Sequence, residues 1–392
     1  METKSQDPYT KAGVNVPLGD LFSAYCGNIC RGSYFNSRFV KIHDFSKGHF
    51  RGPRGFEFHG LPEGTIMTAG ADGNGTKTII TSAAGTHFDS AADFLAMTGG
   101  DMTRYGCMGL IVINDLNVAS IGTSVDDPTF VAAKKLMDGL GVYTKNQCYV
   151  SFSGETAEMN ACIGSEDQNS VLKYIWAAVM IGVMNPDKLI LGDKIKPGDR
   201  VVFLKECIRA NGVSLLRRGL RHRYGDDWYS NPSAEARAAV LEAATPSTLY
   251  DKFLARMNGW QTHDFQPIVK AHGIANLSGG GITSKFGVDL LFKMGFSAEL
   301  GPLFGPPIVM QNCASDLKVT DKNCYKYWGG GNGTAVILNE NDVELFISEA
   351  REDRIYALDA GSVCETPAGR APYISLISGF SGRKITLDGN ED

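Results

Sequence analysis

Two segments carry the residue types from which a metal–nucleotide site is built. Asp72-Gly73-Asn74-Gly75-Thr76-Lys77 follows the apolar run Thr65–Ala69, and Gly154-Glu155-Thr156-Ala157-Glu158-Met159 follows Tyr149-Val150-Ser151-Phe152. Each sets a carboxylate beside small, backbone-exposing residues where a strand is expected to end. Carboxylate oxygens hold hard divalent cations, and Gly-rich backbone approaches phosphate closely. Asp101 supplies a further carboxylate. It stands eight residues after Asp93, a spacing that puts both on roughly one helix face, and Gly99-Gly100 is expected to break that helix just before it. Magnesium sites combine a few carboxylates with substrate phosphates, so Asp72, Asp101 and Glu155 are expected to converge. Glu158, one turn from Glu155, serves equally as a salt-bridge partner.

Each motif has a plainer reading. Asp72–Lys77 has the order Gly-Thr-Lys rather than Gly-Lys-Ser/Thr, which excludes a Walker A loop. It also lacks the later acidic ligands of a calcium loop, and taken alone it is a tight turn. Arg209-Ala210-Asn211-Gly212 opens a helix, either as an anion-binding N-terminus or with Asn211 as an ordinary cap. Asn276-Leu277-Ser278-Gly279-Gly280-Gly281 fits a phosphate cradle better than a surface turn, because consecutive glycines cost backbone entropy. Gly329–Gly333 is a mobile loop or a site wall. The seven histidines form no metal pair or triad signature.

The elements that must position these residues alternate in the first half. Strands are expected at Thr65–Ala69, Gly109–Ile113, Cys148–Phe152 and Trp176–Met184, with helices at Ser90–Tyr105 and Thr129–Leu140. Turn-rich sequence from Asn185 to Asp199 marks a domain boundary, giving units 1–192 and 193–392. The second half predicts strands at Arg200–Leu204, Thr334–Leu338, Arg354–Ala357 and Tyr373–Ile377. Its helices are expected at Gly212–Arg221, Ala234–Ala244, Ser247–Met257 and Asp342–Arg351. The stretch Phe35–Phe50 reads as an insertion, and the polar tail from Ser381 as frayed. The fold class is α/β (α+β) in two domains.

With 392 residues, two domains of similar size are the natural expectation. A net charge of −5 offers no bulk field for nucleic acid or anionic membrane, so a phosphorylated ligand must be captured locally. Nine scattered cysteines suit a reducing compartment, with Cys26 and Cys30 as half-buried thiols rather than zinc ligands. Met1–Asp7 lacks the apolar core of a signal peptide, and the best apolar run, Ile175–Met184, is too short to span a bilayer. A cytoplasmic setting is expected.

At these residues the chain resembles the aminoimidazole ribonucleotide synthetase (phosphoribosylformylglycinamidine cyclo-ligase) family. The likeness begins at Tyr9-Thr10-Lys11-Ala12-Gly13-Val14 and continues through Gly55-Phe56, Asp72–Lys77 and Asp93-x-x-Ala96-Met97-x-x-x-Asp101. Gly154–Met159 is its most specific match; Asn211-Gly212-x-Ser214-Leu215 and Gly279–Gly281 extend it. The resemblance implies an N-terminal ATP-binding domain whose sheet pairs in a homodimer, and a C-terminal α/β domain for substrate and phosphate. It implies ATP and Mg2+, with Asp72, Asp101 and Glu155 on the metal. Gly73, Gly75, Thr76, Lys77, Asp93, Gly154 and Thr156 would hold nucleotide. Asp72, Lys77, Asp101 and Asn211 would act in catalysis. Arg209, Asn211, Gly212, Ser278, Gly279, Gly280 and Gly281 would meet a ribonucleotide substrate. The reaction implied is a ring closure of purine biosynthesis: ATP phosphorylates the formyl amide oxygen of formylglycinamidine ribonucleotide, and an amidine-derived nitrogen displaces phosphate.

The sequence also departs from that family. The usual His-Ser-Asn-Gly is Arg209-Ala210-Asn211-Gly212 here, and the usual His-x-Thr-Gly-Gly-Gly is Asn276-Leu277-Ser278-Gly279-Gly280-Gly281. The usual Val-Asn-Asp is Gly99-Gly100-Asp101, Asp-Gly-Val-Gly is Asp72-Gly73-Asn74-Gly75, and Phe-Asn-x-Gly is Trp328-Gly329-Gly330-Gly331. Two proton carriers suited to neutral pH are thereby lost. The metal and nucleotide parts survive better than the acceptor part. A related small-molecule kinase or synthase, and a non-catalytic nucleotide-binding homologue, remain as alternatives.

Overall fold

The computed structural model describes residues 15–47 and 52–389. The Tyr9–Val14 match therefore lies outside the described residues, as does the end of the Phe35–Phe50 stretch.

The first helix, α1 (Val16–Gly32), is started by Asn15, whose side chain accepts from the Leu18 amide. An antiparallel pair of β1 (Val40–Asp44) and β2 (Arg54–Phe58) follows, and β1 lies within the Phe35–Phe50 stretch expected to be an insertion. Next come β3 (Ile66–Gly73), α2 (Lys77–Ala84), α3 (Ser90–Thr103), β4 (Met108–Val118), α4 (Pro128–Gln147), β5 (Val150–Glu158) and β6 (Tyr174–Met184). The strands form a four-stranded sheet in the order β3-β6-β4-β5, antiparallel except for the β4–β5 pair. Helices α1, α3 and α4 cover one face, packing Phe94, Leu95, Leu136 and Leu140 against Trp176 and Met180. On the other face Met67, Ile175 and Val179 stand exposed. Strict alternation along β6 divides these two sets.

The second half contains β7 (Arg200–Lys205), α5 (Val213–Tyr224), α6 (Ala234–Ala243), α7 (Asp251–Met257), β8 (Ala271–Asn276) and α8 (Ile282–Leu291), a π-type helix. It continues with β9 (Phe296–Leu300), α9 (Ile308–Asp316), α10 (Asp321–Tyr327), β10 (Asn332–Leu338), α11 (Val343–Glu352), β11 (Ala357–Glu365), β12 (Tyr373–Ile377) and β13 (Lys384–Asp388). Seven of these strands make one sheet, β13-β12-β9-β11-β7-β10-β8. Its interior strand β7, between β11 and β10, is apolar on both faces, because helices pack on each side.

Several expected boundaries moved for identifiable reasons. Helix α3 runs through Gly99 and Gly100 to Thr103 rather than breaking there. Helix α7 begins at Asp251, not Ser247, because the Ser247 and Thr248 amides donate to the Asp93 and Glu206 carboxylates. Arg354 adopts φ 59° at the end of α11, which delays the next strand to Ala357. Within the tail expected to fray, Lys384–Asp388 is strand β13, paired with β12, and residues 390–392 lie outside the described residues. Among the described residues, no helix is long and apolar enough to cross a membrane.

Candidate functional site

Three of the singled-out sequence runs meet at one cavity of about 620 Å³. Its lining includes Gly75 and Thr76, then Ala210, Gly212, Val213, Ser214 and Leu215, then Gly279 and Gly280, with Tyr327 at one side. Thr76 precedes the first residue of α2, and Gly212 that of α5. Two helix N-termini therefore open on the same space, and N-terminal amides attract anions. The Thr76 and Ser214 hydroxyls lie 3.3 Å apart across it. Gly75 (φ 54°) and Gly280 (φ 100°) take left-handed conformations that favour glycine, and keep side chains out of the lining.

The rest of the predicted set does not share this lining. Gly73 sits in β3 against the Trp176 carbonyl, and Gly281 is buried against the Tyr325 and Trp328 carbonyls. Ser278 is buried. The Asn211 side chain turns away to donate to the Tyr327 carbonyl at 3.4 Å. The Gly329–Gly333 run is ordered but does not wall this cavity: Trp328 donates to the Gly212 carbonyl, and Asn332 bonds back to Gly329, Gly330 and Phe304.

Three expectations are corrected outright. Lys77 is fully buried, and its ammonium donates at 2.7 Å to Asp93, to the Ile208 carbonyl and to the Thr245 carbonyl. An ammonium has three donors, so none remains for a phosphate. Asp93 is consumed equally, accepting from Lys77 and from the Ser247 amide and hydroxyl. Arg209 is 5% exposed and reaches Glu206, the Gly333 carbonyl and the Ala96 carbonyl, so it does not meet a substrate. These groups instead fasten the first half of the chain to the second.

The carboxylate trio also separates. Asp72 pairs in register with Ala178, Ala178 with Asn114, and Asn114 with Gly154. Glu155 is thus three strands from Asp72, roughly 14 Å at normal strand spacing. It points to the opposite face, beside exposed Asp115. Among the described residues no group of three or more His, Cys, Asp or Glu side chains is placed to hold a metal. Asp72 and Asp101 do lie near one another. Burial lifts the Asp72 carboxyl above its ordinary range, the Gly73 amide opposes this, and the Asp101 charge lifts it further. A pair of carboxylates that repel in this way gains from a bound cation.

Gly154, Glu155 and Thr156 belong to strand β5 and line a separate cavity of about 300 Å³. Cys26, Cys30 and Asn114 complete its wall. Both thiols are buried rather than half-buried, and burial pushes them above the usual thiol range. Sequence reasoning missed Ala210, Val213 and Tyr327 as lining residues; only their neighbourhood to Gly212 and to the Trp328 run hinted at them.

Comparison with known proteins places this geometry. No family model matches the chain. A phosphoribosylformylglycinamidine cyclo-ligase of Pyrococcus furiosus is 26% identical over 298 residues, covering 76% of this chain and 78% of the relative. Proteins of the same name from Pseudothermotoga lettingae (24% identical, 88% of this chain and 93% of the relative) and a Synechococcus species (27%, 80% and 86%) also align. Among solved structures, thiamine-monophosphate kinase from Stenotrophomonas maltophilia superposes with a TM-score of 0.58 at 12% identity, over 88% of this chain and 94% of that one. Hydrogenase maturation protein HypE in complex with ATP gives 0.51 at 15% identity, over 86% and 88%. The likeness to these solved structures concerns the fold alone. With ordered motifs, two α/β halves and relatives at 24–29% identity, several of them aligned over most of its length, the chain is similar to the phosphoribosylformylglycinamidine cyclo-ligases.

Proposed function

We propose that the protein is an ATP-dependent ligase that closes the imidazole ring of aminoimidazole ribonucleotide from formylglycinamidine ribonucleotide. The observation that carries this reading is the convergence of the 75–76, 210–215 and 279–280 segments, with two helix N-termini, on one cavity. In this reading Gly75, Thr76, Gly212, Ser214, Gly279 and Gly280 receive phosphate groups through backbone amides and two hydroxyls. The glycine cradle and the repelling Asp72–Asp101 pair fit a magnesium nucleotide. Magnesium, when bound, offsets charge at the transferring phosphoryl group. Asp72 and Asp101 would hold it, and the cavity walls would orient the amide oxygen toward the phosphate.

The division at residues 192 and 193 is retained as part of this proposal, the first unit carrying Asp72 and Asp101 and the second the Gly279–Gly280 cradle. A homodimer is also proposed, supported by the exposed apolar side chains Met67, Ile175 and Val179 on the sheet face that β1, β2 and Trp260 cover only in part. One observation favours a second reading, a kinase or synthase acting on another acceptor. Arg209 stands where the family has histidine, and it is locked inward, leaving no proton carrier at that position.

The test is an assay of purified protein with ATP, magnesium and formylglycinamidine ribonucleotide, following ADP and the aminoimidazole product together. ADP released only with that acceptor, alongside product, supports the ligase. ADP released with a different small-molecule acceptor and no ring closure favours the kinase reading.

A further inference from the structure

Helix α3 carries two adjacent glycines in its buried third turn, where each costs up to about 1 kcal/mol relative to alanine. Their reason lies across the molecule. A methyl group at Gly99 would collide with the Asp251 carboxylate, and one at Gly100 would stand 2.6 Å from Asn276 Nδ2. Asn276 ends strand β8 in the second half of the chain and is 1% exposed. Its Nδ2 donates to Asp101 Oδ1 over a long 3.4 Å. Its own Oδ1 is shut away from solvent against Gly100, with no donor among the described residues. Leaving a buried amide carbonyl unmatched costs about 1–3 kcal/mol, so the side chain is held there at a cost in stability.

We propose that Asn276 is a positioning residue: seated over Gly100, it steadies the Asp101 carboxylate from the second half of the chain. This rests on the metal–nucleotide reading above. Asp101 needs such a support, because its side chain is 41% exposed and its ion pair with Arg104 is long, at 3.7 Å. A neutral amide adds a second hold on the carboxylate without adding a further positive charge to compete with a cation. Hydrogen bonds of this outer kind fix the orientation of ligands, and losing one weakens metal affinity about 10- to 100-fold. Gly100 and Asn276 then act as one device. The glycine makes the space, and the amide reaches through it.

The experiment titrates magnesium against binding of a fluorescent ATP analogue, with urea unfolding measured in parallel. Wild type, Asn276→Ala and the double variant Asn276→Ala with Gly100→Ala are compared. Asn276→Ala is expected to raise the half-saturating magnesium concentration about tenfold. In the double variant the added methyl refills the vacated space, so stability recovers toward wild type while the magnesium shift persists. Restoration of the magnesium midpoint together with stability would reduce Asn276 to a space-filler and overturn the proposal. So would an unchanged midpoint in Asn276→Ala. A wild-type protein whose nucleotide binding ignores magnesium would instead remove the metal–nucleotide reading itself, and the inference with it.

Discussion

Burial lifts the carboxyl of Asp251 to about 7, against weaker opposing effects from Arg209, Tyr149 and Thr103. An unfolded aspartate ionises near 4. Between about pH 4 and 7 the folded chain therefore holds a proton that the unfolded chain has released, and stability must fall as pH rises across that window. Asp251→Asn removes this dependence. Its stability relative to wild type, from urea unfolding at about pH 5 and pH 8, is expected to improve at the higher pH; an equal change at both would contradict the assignment. Nothing in the sequence marked Asp251, because its surroundings come from α3 and Tyr149, far away along the chain. Lys77 illustrates the converse. Its place after a Gly-rich turn suggested a phosphate ligand, but three buried acceptors from distant segments claim its ammonium. Residues whose roles depend on local backbone, such as Gly75 and Gly280, were legible; those whose partners lie in the other half were not.

At the scale of elements, helix α3 is the most instructive. Two glycines read as a helix end, yet the helix continues through them, since their missing side chains admit Asp251 and Asn276. Gly99→Ala is accordingly expected to destabilise the protein by about 1–3 kcal/mol, although alanine is the better helix former. Thermal or urea unfolding checks this, and a stabilised variant would show that the space is not needed. Strands of the first sheet were read from alternating or continuous apolar runs, and their existence held while their ends lengthened. The segment Gly154–Glu158 was expected beyond a strand end but pairs along β4 instead. That one difference carries Glu155 away from Asp72. Sheet order is set by non-local pairing, which no local spacing reveals.

At the scale of the whole molecule, the two halves are joined by buried polar contacts of Lys77, Asp93 and Arg209, and the candidate cavity takes walls from both. The second face of the first sheet, covered in part by β1, β2 and Trp260, leaves Met67, Ile175 and Val179 exposed, the kind of apolar surface that a second copy covers. Light scattering is expected to report a dimer, and Met67→Glu with Val179→Glu a monomer; a monomeric wild type would refute the proposed pairing. Ring closure itself leaves an atomic signature. If the formyl amide oxygen is phosphorylated and then expelled, that oxygen must depart in the phosphate. The most direct measurement supplies formylglycinamidine ribonucleotide labelled with heavy oxygen at the formyl position, together with ATP and magnesium, and weighs the released phosphate by mass spectrometry. Labelled phosphate in step with aminoimidazole ribonucleotide is the expected result. Unlabelled phosphate, or ADP formed without that product, would contradict a ring-closing ligase.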